Sequence, residues 1–274
     1  MSGFLDEMAR SSAARVAEAK RCESAAALEQ RAMRAPAAPP LRLSARFDVI
    51  AELKLRSPAA GVLGDQRQDW PGRVAAYARA GAAAVSVLTE PTRFDGSLEH
   101  LQRAAQVLTP LRVPAMRKDF LVDPYQILEA RAAGAGGVLI ILRMLPRERI
   151  AELLDVAAAH RLFVLLEAFD AADLECAREL LEARPRNAGT VLVGINSRDL
   201  HTLKVSPERF ADLAPRLPQG WPAVAESGVA TPADARSMMQ LGYRIALIGT
   251  ALMACDDPSE LLAGIFNATR TAQS

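Results

Sequence analysis

Eight short apolar runs recur between residues 48 and 249, each followed by a polar or Gly-containing turn and, in most cases, an amphipathic stretch. They are DVIAELK (48–54), AAVSVL (83–88), VPAMRK (113–118), GVLII (137–141), LFVLLE (162–167), TVLVGI (190–195), PAVAES (222–227) and IALIG (245–249). Their starts lie roughly 22 to 35 residues apart, the size of one βα unit. The runs are apolar nearly throughout rather than alternating, which suits parallel strands covered on both faces. Between them, WPGRVAAYARAGA and DPYQILEARAAGAG each end in Gly, as helix C-caps do. TPADARSMMQLGY opens on a Thr N-cap candidate followed by Pro. A doubly wound sheet would show fewer units and a glycine fingerprint after its first strand, which is missing here. The expectation is therefore an α/β chain folded as a single (β/α)8 TIM barrel.

One barrel domain is expected across 1–274. Residues 1–46 within it form an N-terminal helical extension and Pro-rich lead-in: helix over 3–33, then the break APAAPPL at 35–41. Three widely spaced cysteines without CxxC argue against a zinc site or disulfide framework and suit a reduced, cytoplasmic setting. The N-terminal segment mixes charge into every turn and does not read as a secretory signal. The longest strongly apolar run, GGVLIIL at 136–142, is too short for a membrane span. A formal net charge of +1 provides no whole-surface attraction for nucleic acid or an anionic membrane.

Composition matters at one point. Of 33 basic residues only four are lysine: Lys20, Lys54, Lys118 and Lys204. A surface needing only positive charge takes arginine in this chain, so each lysine is informative. In a barrel the site lies at the C-terminal strand ends, and two lysines fall there. The first run ends in Glu52 and Lys54, two apart and so on one side of a strand. The third ends in Lys118, the fifth in Glu167 and the seventh in Glu226 and Ser227; the sixth leads into Asn196 and Arg198. Three carboxylates and two amines at one mouth can donate and accept protons. A Lys beside a Glu in a partly dry cleft can be tuned as a general acid near neutral pH. The plainer alternative is a set of ion pairs, Glu52–Lys54 and Lys118–Glu167, closing the barrel top.

The last two strands carry a different signal. Ser227-Gly228 and Gly249-Thr250 are small residues beside helix starts, the composition of a phosphate cradle. Ser57, in the turn after strand one, could add a hydroxyl. Phe94 and Phe120 follow strands two and three, where they could stack on an aromatic substrate or pack beneath the loops. His100, His160 and His201 fall away from strand ends, and no histidine base is expected.

IAELKLRSPAAG, VSVLTEPTRFDGS, MRKDFLVDPYQILEARAAGA, VLLEAF, GINSRDL, AESGV and LIGTALM occur in that order. Together they closely resemble the indole-3-glycerol phosphate synthase family from about residue 48 to 255. The resemblance implies a phosphorylated small-molecule substrate, 1-(2-carboxyphenylamino)-1-deoxyribulose 5-phosphate, closed to an indole with loss of carbon dioxide and water. It implies a cofactor-independent carboxy-lyase of tryptophan biosynthesis with no metal, no nucleic acid and no membrane partner. A monomer is expected, with weak self-association open. On that resemblance Lys118 is the acid at the ketone oxygen, while Lys54, Glu52 and Glu167 share the proton transfers of dehydration. Asn196, Arg198 and Glu226 orient the substrate's carboxylate and hydroxyls. Phe94, Phe120 and Leu139 flank the anthranilate ring, Ser227 is a further substrate contact, and Ser57, Gly228, Gly249 and Thr250 hold the phosphate. The chain departs from the family at SPAAG, where SPSKG is usual, and at Gly136, where an acid is usual. A non-catalytic sugar-phosphate-binding relative and a barrel like phosphoribosylanthranilate isomerase are the alternatives; the full set of acids and bases weighs against the first, and RKDF with ESG against the second.

Overall fold

The computed structural model describes residues 3–57, 61–62, 69–185, 188–199, 202 and 204–270. Ala59, Ala60 and His201 lie outside them, as does the side chain of Ser57. Eight parallel strands close a barrel: β1 (Asp48–Leu53), β2 (Ala84–Leu88), β3 (Ala115–Lys118), β4 (Gly137–Ile141), β5 (Phe163–Ala168), β6 (Val191–Asn196), β7 (Ala223–Glu226) and β8 (Ile245–Ile248). Each strand pairs with its sequence neighbours, and β1 closes the ring by pairing with β8, Asp48 opposite Ile245. The eight strands lie on the eight apolar runs, displaced by no more than two residues at either end.

The helices are α1 (Phe4–Cys22), α2 (Ala25–Arg34), α3 (Trp70–Arg79), α4 (Pro91–Phe94), α5 (Leu98–Leu108), α6 (Pro124–Ala132), α7 (Arg147–Ala159), α8 (Ala171–Glu182), α9 (Glu208–Leu213), α10 (Pro232–Gln240), α11 (Thr250–Ala254) and α12 (Pro258–Arg270). Among the described residues, no helix is long and apolar enough to cross a membrane. The single helix expected over 3–33 is in fact two. Glu23 is extended (φ −141°, ψ 125°), and the Ser24 hydroxyl accepts the N–H of Ala27 as the N-cap of α2. A serine able to bond its own backbone favours a restart over a continuous helix.

Alternation divides each strand between two cores. Val49, Ala51, Val85, Val87, Val138 and Ile140 face the helical layer, where they join one large cluster. Ile50, Met116, Leu139, Leu165, Leu192 and Leu247 face inward and form the second. Inside this ring space is tight. A Cβ on Gly137 would run into the buried ring of Phe163. Gly137→Ala is therefore expected to cost about 1–3 kcal/mol of stability through overpacking, read as a lower urea midpoint without a change in slope.

The inward parity continues to the strand ends. From Ile50 it reaches Glu52, from Met116 Lys118, from Leu165 Glu167, from Leu192 Asn196, and from Val224 Glu226. A barrel interior filled with apolar side chains thus ends in a polar layer at its C-terminal rim.

Helix α1 covers part of this rim. Met8 is buried in the inner cluster, with Phe4 and Leu5 packed against it. Leu28 and Ala32 of α2 bury against Tyr125 and Leu128 of α6.

Candidate functional site

A cavity of about 390 Å³ opens at the C-terminal rim. Its wall includes Glu52, Lys54, Phe94, Lys118, Phe120, Leu139, Glu167, Asn196, Arg198, Ser227, Gly228, Gly249 and Thr250. The expected site residues thus converge, with two exceptions. Ser57 lies in a two-residue strand pairing antiparallel with Gly61–Val62, and its side chain is outside the described part. Glu226 is fully buried and is absent from the cavity wall. It stands in the same ring of strand ends as Lys118, whose Nζ is 3.9 Å from its Oε2, and opposite Asn196 in register. Gly194 on the neighbouring strand makes room for it: a Cβ there would collide with Glu226 Oε1.

Glu52 is the centre of the charge. Its Oε1 is 3.1 Å from Lys54 Nζ, and its Oε2 accepts a 2.9 Å hydrogen bond from Lys118 Nζ. The plainer alternative pairs Lys118 with Glu167; the partners of Lys118 here are Glu52 and, at 3.9 Å, Glu226 Oε2. Burial opposes a charge on Glu52, but Lys118 and Lys54 outweigh it and hold the carboxyl down at about 2. Lys118 is shifted away from neutrality, contrary to the tuning expected. Burial would lower it, but Glu52, Glu226 and Glu167 together raise it above an ordinary lysine. It is a firmly held ammonium ion.

Glu167 and Glu226 form a second unit. Asn196 Nδ2 donates to Glu167 Oε1 at 2.9 Å, while Asn196 Oδ1 accepts the N–H of Arg198 at 2.9 Å. Both ends of the Asn196 amide are thereby occupied by protein, and it aims Glu167. Neither Glu226 oxygen receives a hydrogen bond as a carboxylate, a costly state for a buried charge. Burial and the adjacent Glu167 carboxyl push Glu226 well above the usual range, against the pull of the Lys118 ammonium. Burial raises Glu167 as well, with Lys118 and the Asn196 hydrogen bond pulling the other way.

The cavity also has an aromatic surface. Phe120 stands edge-on to Phe4 (5.8 Å, 77°) and tilted against Phe94 (6.2 Å, 39°). Leu88, Leu139 and Ile141 extend this surface. At the third side, Ser227 (φ 64°) and Gly228 (φ 87°) make consecutive left-handed turns after β7. The Ser197 hydroxyl donates 2.8 Å to the Ser227 carbonyl and fixes the turn. Gly249 and Thr250 follow β8 at the start of α11. Two backbone turns at adjacent strand ends suit a phosphate.

The model of one protein family, indole-3-glycerol phosphate synthase, matches residues 5–264. The chain belongs to this family. A relative from Parafrankia sp., named indole-3-glycerol phosphate synthase, is 41% identical over 269 residues, covering 96% of this chain and 95% of that protein. One of the same name from Aromatoleum aromaticum is 42% identical over 220 residues, covering 80% of this chain and 79% of that one. Among solved structures, 3-hexulose-6-phosphate synthase from Salmonella typhimurium aligns with a TM-score of 0.62 at 12% identity, over 82% of this chain and 99% of its own. At that identity it supports the barrel alone. As a member of this synthase family the chain is an enzyme of tryptophan biosynthesis.

Two parts of the site escaped the sequence reading. Phe4 comes from α1, far from any strand end, and only the docked helix brings it to Phe120. Ser197 lay inside the quoted GINSRDL motif, and its burial marks it as structural support.

Proposed function

We propose that the enzyme is a cofactor-independent carboxy-lyase converting 1-(2-carboxyphenylamino)-1-deoxyribulose 5-phosphate to indole-3-glycerol phosphate. The observation that carries this reading is Glu52 bridging two lysines between an aromatic wall and a pair of phosphate-suited turns. The substrate has three matching parts. Its anthranilate ring fits beside Phe94, Phe120, Leu139 and Phe4. Its phosphate fits the turns at Ser227, Gly228, Gly249 and Thr250, with Ser57 a further candidate. Its ketone then falls over the polar layer.

Ring closure forms a C–C bond between the carboxylate-bearing ring carbon and the ketone carbon, while Lys118 delivers a proton to the ketone oxygen. Carbon dioxide leaves with its bonding pair returned to the ring. The new hydroxyl departs as water with a proton from Lys54, and Glu167 takes the proton released as the pyrrole double bond forms. Glu167 also stabilises the cationic intermediate. Glu52 holds both ammonium groups. A firmly ionised lysine is a poor acid until its partner changes; a ketone oxygen displacing Glu52 from Lys118 would supply that change, with Lys54 still neutralising Glu52. Arg198 reaches the substrate's carboxylate, and Asn196 and Glu226 act through Glu167.

The deciding assay mixes purified protein with this substrate and no added metal. Indole fluorescence rising with enzyme concentration is expected, and no signal at high enzyme concentration would sink the reading. Phosphoribosylanthranilate, tested in parallel, is expected to stay unchanged.

A further inference from the structure

Lys118 is flanked by two charged residues that the proposed chemistry leaves unused. Alternation turns Arg117 and Asp119 out of the barrel interior, and their side chains are only 2% and 0% exposed. Buried charges persist where partners satisfy them, and here the partners come from several elements. Arg117 donates to Thr89 Oγ1 (3.1 Å), the Gln126 carbonyl (2.8 Å), Glu129 Oε2 (3.0 Å) and Asp119 Oδ2 (3.1 Å). Asp119 also accepts the Thr89 hydroxyl at 2.8 Å and the Phe120 N–H at 2.8 Å. Its remaining partner crosses from α1: Arg15 donates twice, Nη1 to Oδ2 at 3.0 Å and Nη2 to Oδ1 at 2.8 Å.

The same network grips the main chain around Lys118. The Thr89 N–H donates to the Lys118 carbonyl at 3.0 Å, and the Phe120 N–H is tied to Asp119. The first peptide group after Lys118 is thus held by the backbone of the neighbouring strand, and the second by the Asp119 carboxylate that Arg15 and Arg117 fix. Burial opposes a charge on Asp119, but Arg117 and Arg15 outweigh it and hold the carboxyl at about 2. The latch thus stays charged through any ordinary assay pH.

We infer that Asp119, latched by Arg15 of α1, is a positioning residue that fixes the 118–120 backbone and so aims the Lys118 ammonium at the reacting carbonyl. This rests on the reading of Lys118 as the acid. It makes α1 part of the working site rather than a cover over it. Another strap on the same helix, the more exposed Lys20–Asp123 pair at 2.9 Å, ends at the cap of α6 instead. It offers a control for docking of the helix in general.

The test compares Arg15→Met, Arg15→Lys and Lys20→Met in the full chain. Arg15→Met is expected to lower kcat by between about 10- and 100-fold, the scale of a small misplacement of a catalytic group, with KM changed much less. Arg15→Lys restores one of the two bonds and is expected to recover part of the rate; Lys20→Met is expected to match wild type. Amide hydrogen exchange at 118–120 is expected to quicken in Arg15→Met and not in Lys20→Met. A kcat for Arg15→Met equal to wild type, or a loss no greater than that of Lys20→Met, overturns the inference, as does unchanged exchange at those amides. A wild-type protein without synthase activity would instead sink the functional reading, and the exchange comparison would still decide whether Arg15 holds this segment.

Discussion

Lys118→Ala is expected to lower kcat by about 10² or more, the usual scale for a lost general acid, with little change in substrate affinity. The reason lies in where Lys118 stands. Its ammonium is the only one in hydrogen-bond contact with Glu52 Oε2, at 2.9 Å, among the described residues, and Glu226 is 3.9 Å away. The surfaces assigned to the ring and the phosphate lie on other walls of the cavity, so removing the amine leaves most binding contacts intact. Lys118→Arg is expected to be nearly as inactive, because a guanidinium keeps its proton at any working pH. That second variant separates a need for an acid from a need for a charge. Stopped-time fluorescence gives kcat, and titration with the substrate against the inactive variants gives affinity. Wild-type-like rates in Lys118→Ala would refute the role outright, and full activity in Lys118→Arg would reduce it to a fixed positive charge.

The barrel was legible because its strands are buried on both faces and advertise themselves as unbroken apolar runs. The mouth was legible for a related reason: an ionisable residue ending such a run has few structural uses. Lysine scarcity narrowed the choice further. Lys54 and Lys118 meet at Glu52, whereas Lys20 makes an exposed pair with Asp123. Enclosure within the polar layer could not be read. Glu167 and Glu226 occupy equivalent strand-end positions in the sequence, yet one lines the cavity and the other is fully enclosed. The missing side chain of Gly194 leaves the room that Glu226 fills, and that does not show in a run of apolar letters. Contacts of α1 were equally hidden. Arg15 and Asp119 are 104 residues apart, and helical periodicity says only which face is apolar, not where a charged side chain will reach.

The difference in enclosure leads to the second large expectation: the same substitution at the two carboxyls should give unequal results. Glu167→Gln is expected to cost about 10² to 10⁴ in kcat, because the amide cannot accept the proton that dehydration releases. Glu226→Gln should cost about tenfold or less, since burial and Glu167 raise Glu226 towards the neutral form that a Gln amide mimics. What changes there is on the scale of one hydrogen bond, about 1 kcal/mol. A stability measurement checks the same point without turnover. An ordinary Glu in the unfolded chain loses its proton near pH 4.3, but burial and Glu167 push Glu226 well above that in the fold. Over that window the native state binds more protons than the unfolded one, so Glu226 makes stability fall as pH rises. Glu226→Gln removes this contribution. Its melting temperature is expected to gain on wild type between pH 5 and pH 8, with the advantage largest at the upper end. Were Glu226 ionised beside Lys118, Gln would instead strip a buried cation of a partner. The variant would then lose both stability and rate at neutral pH, and the upward shift of Glu226 would be refuted.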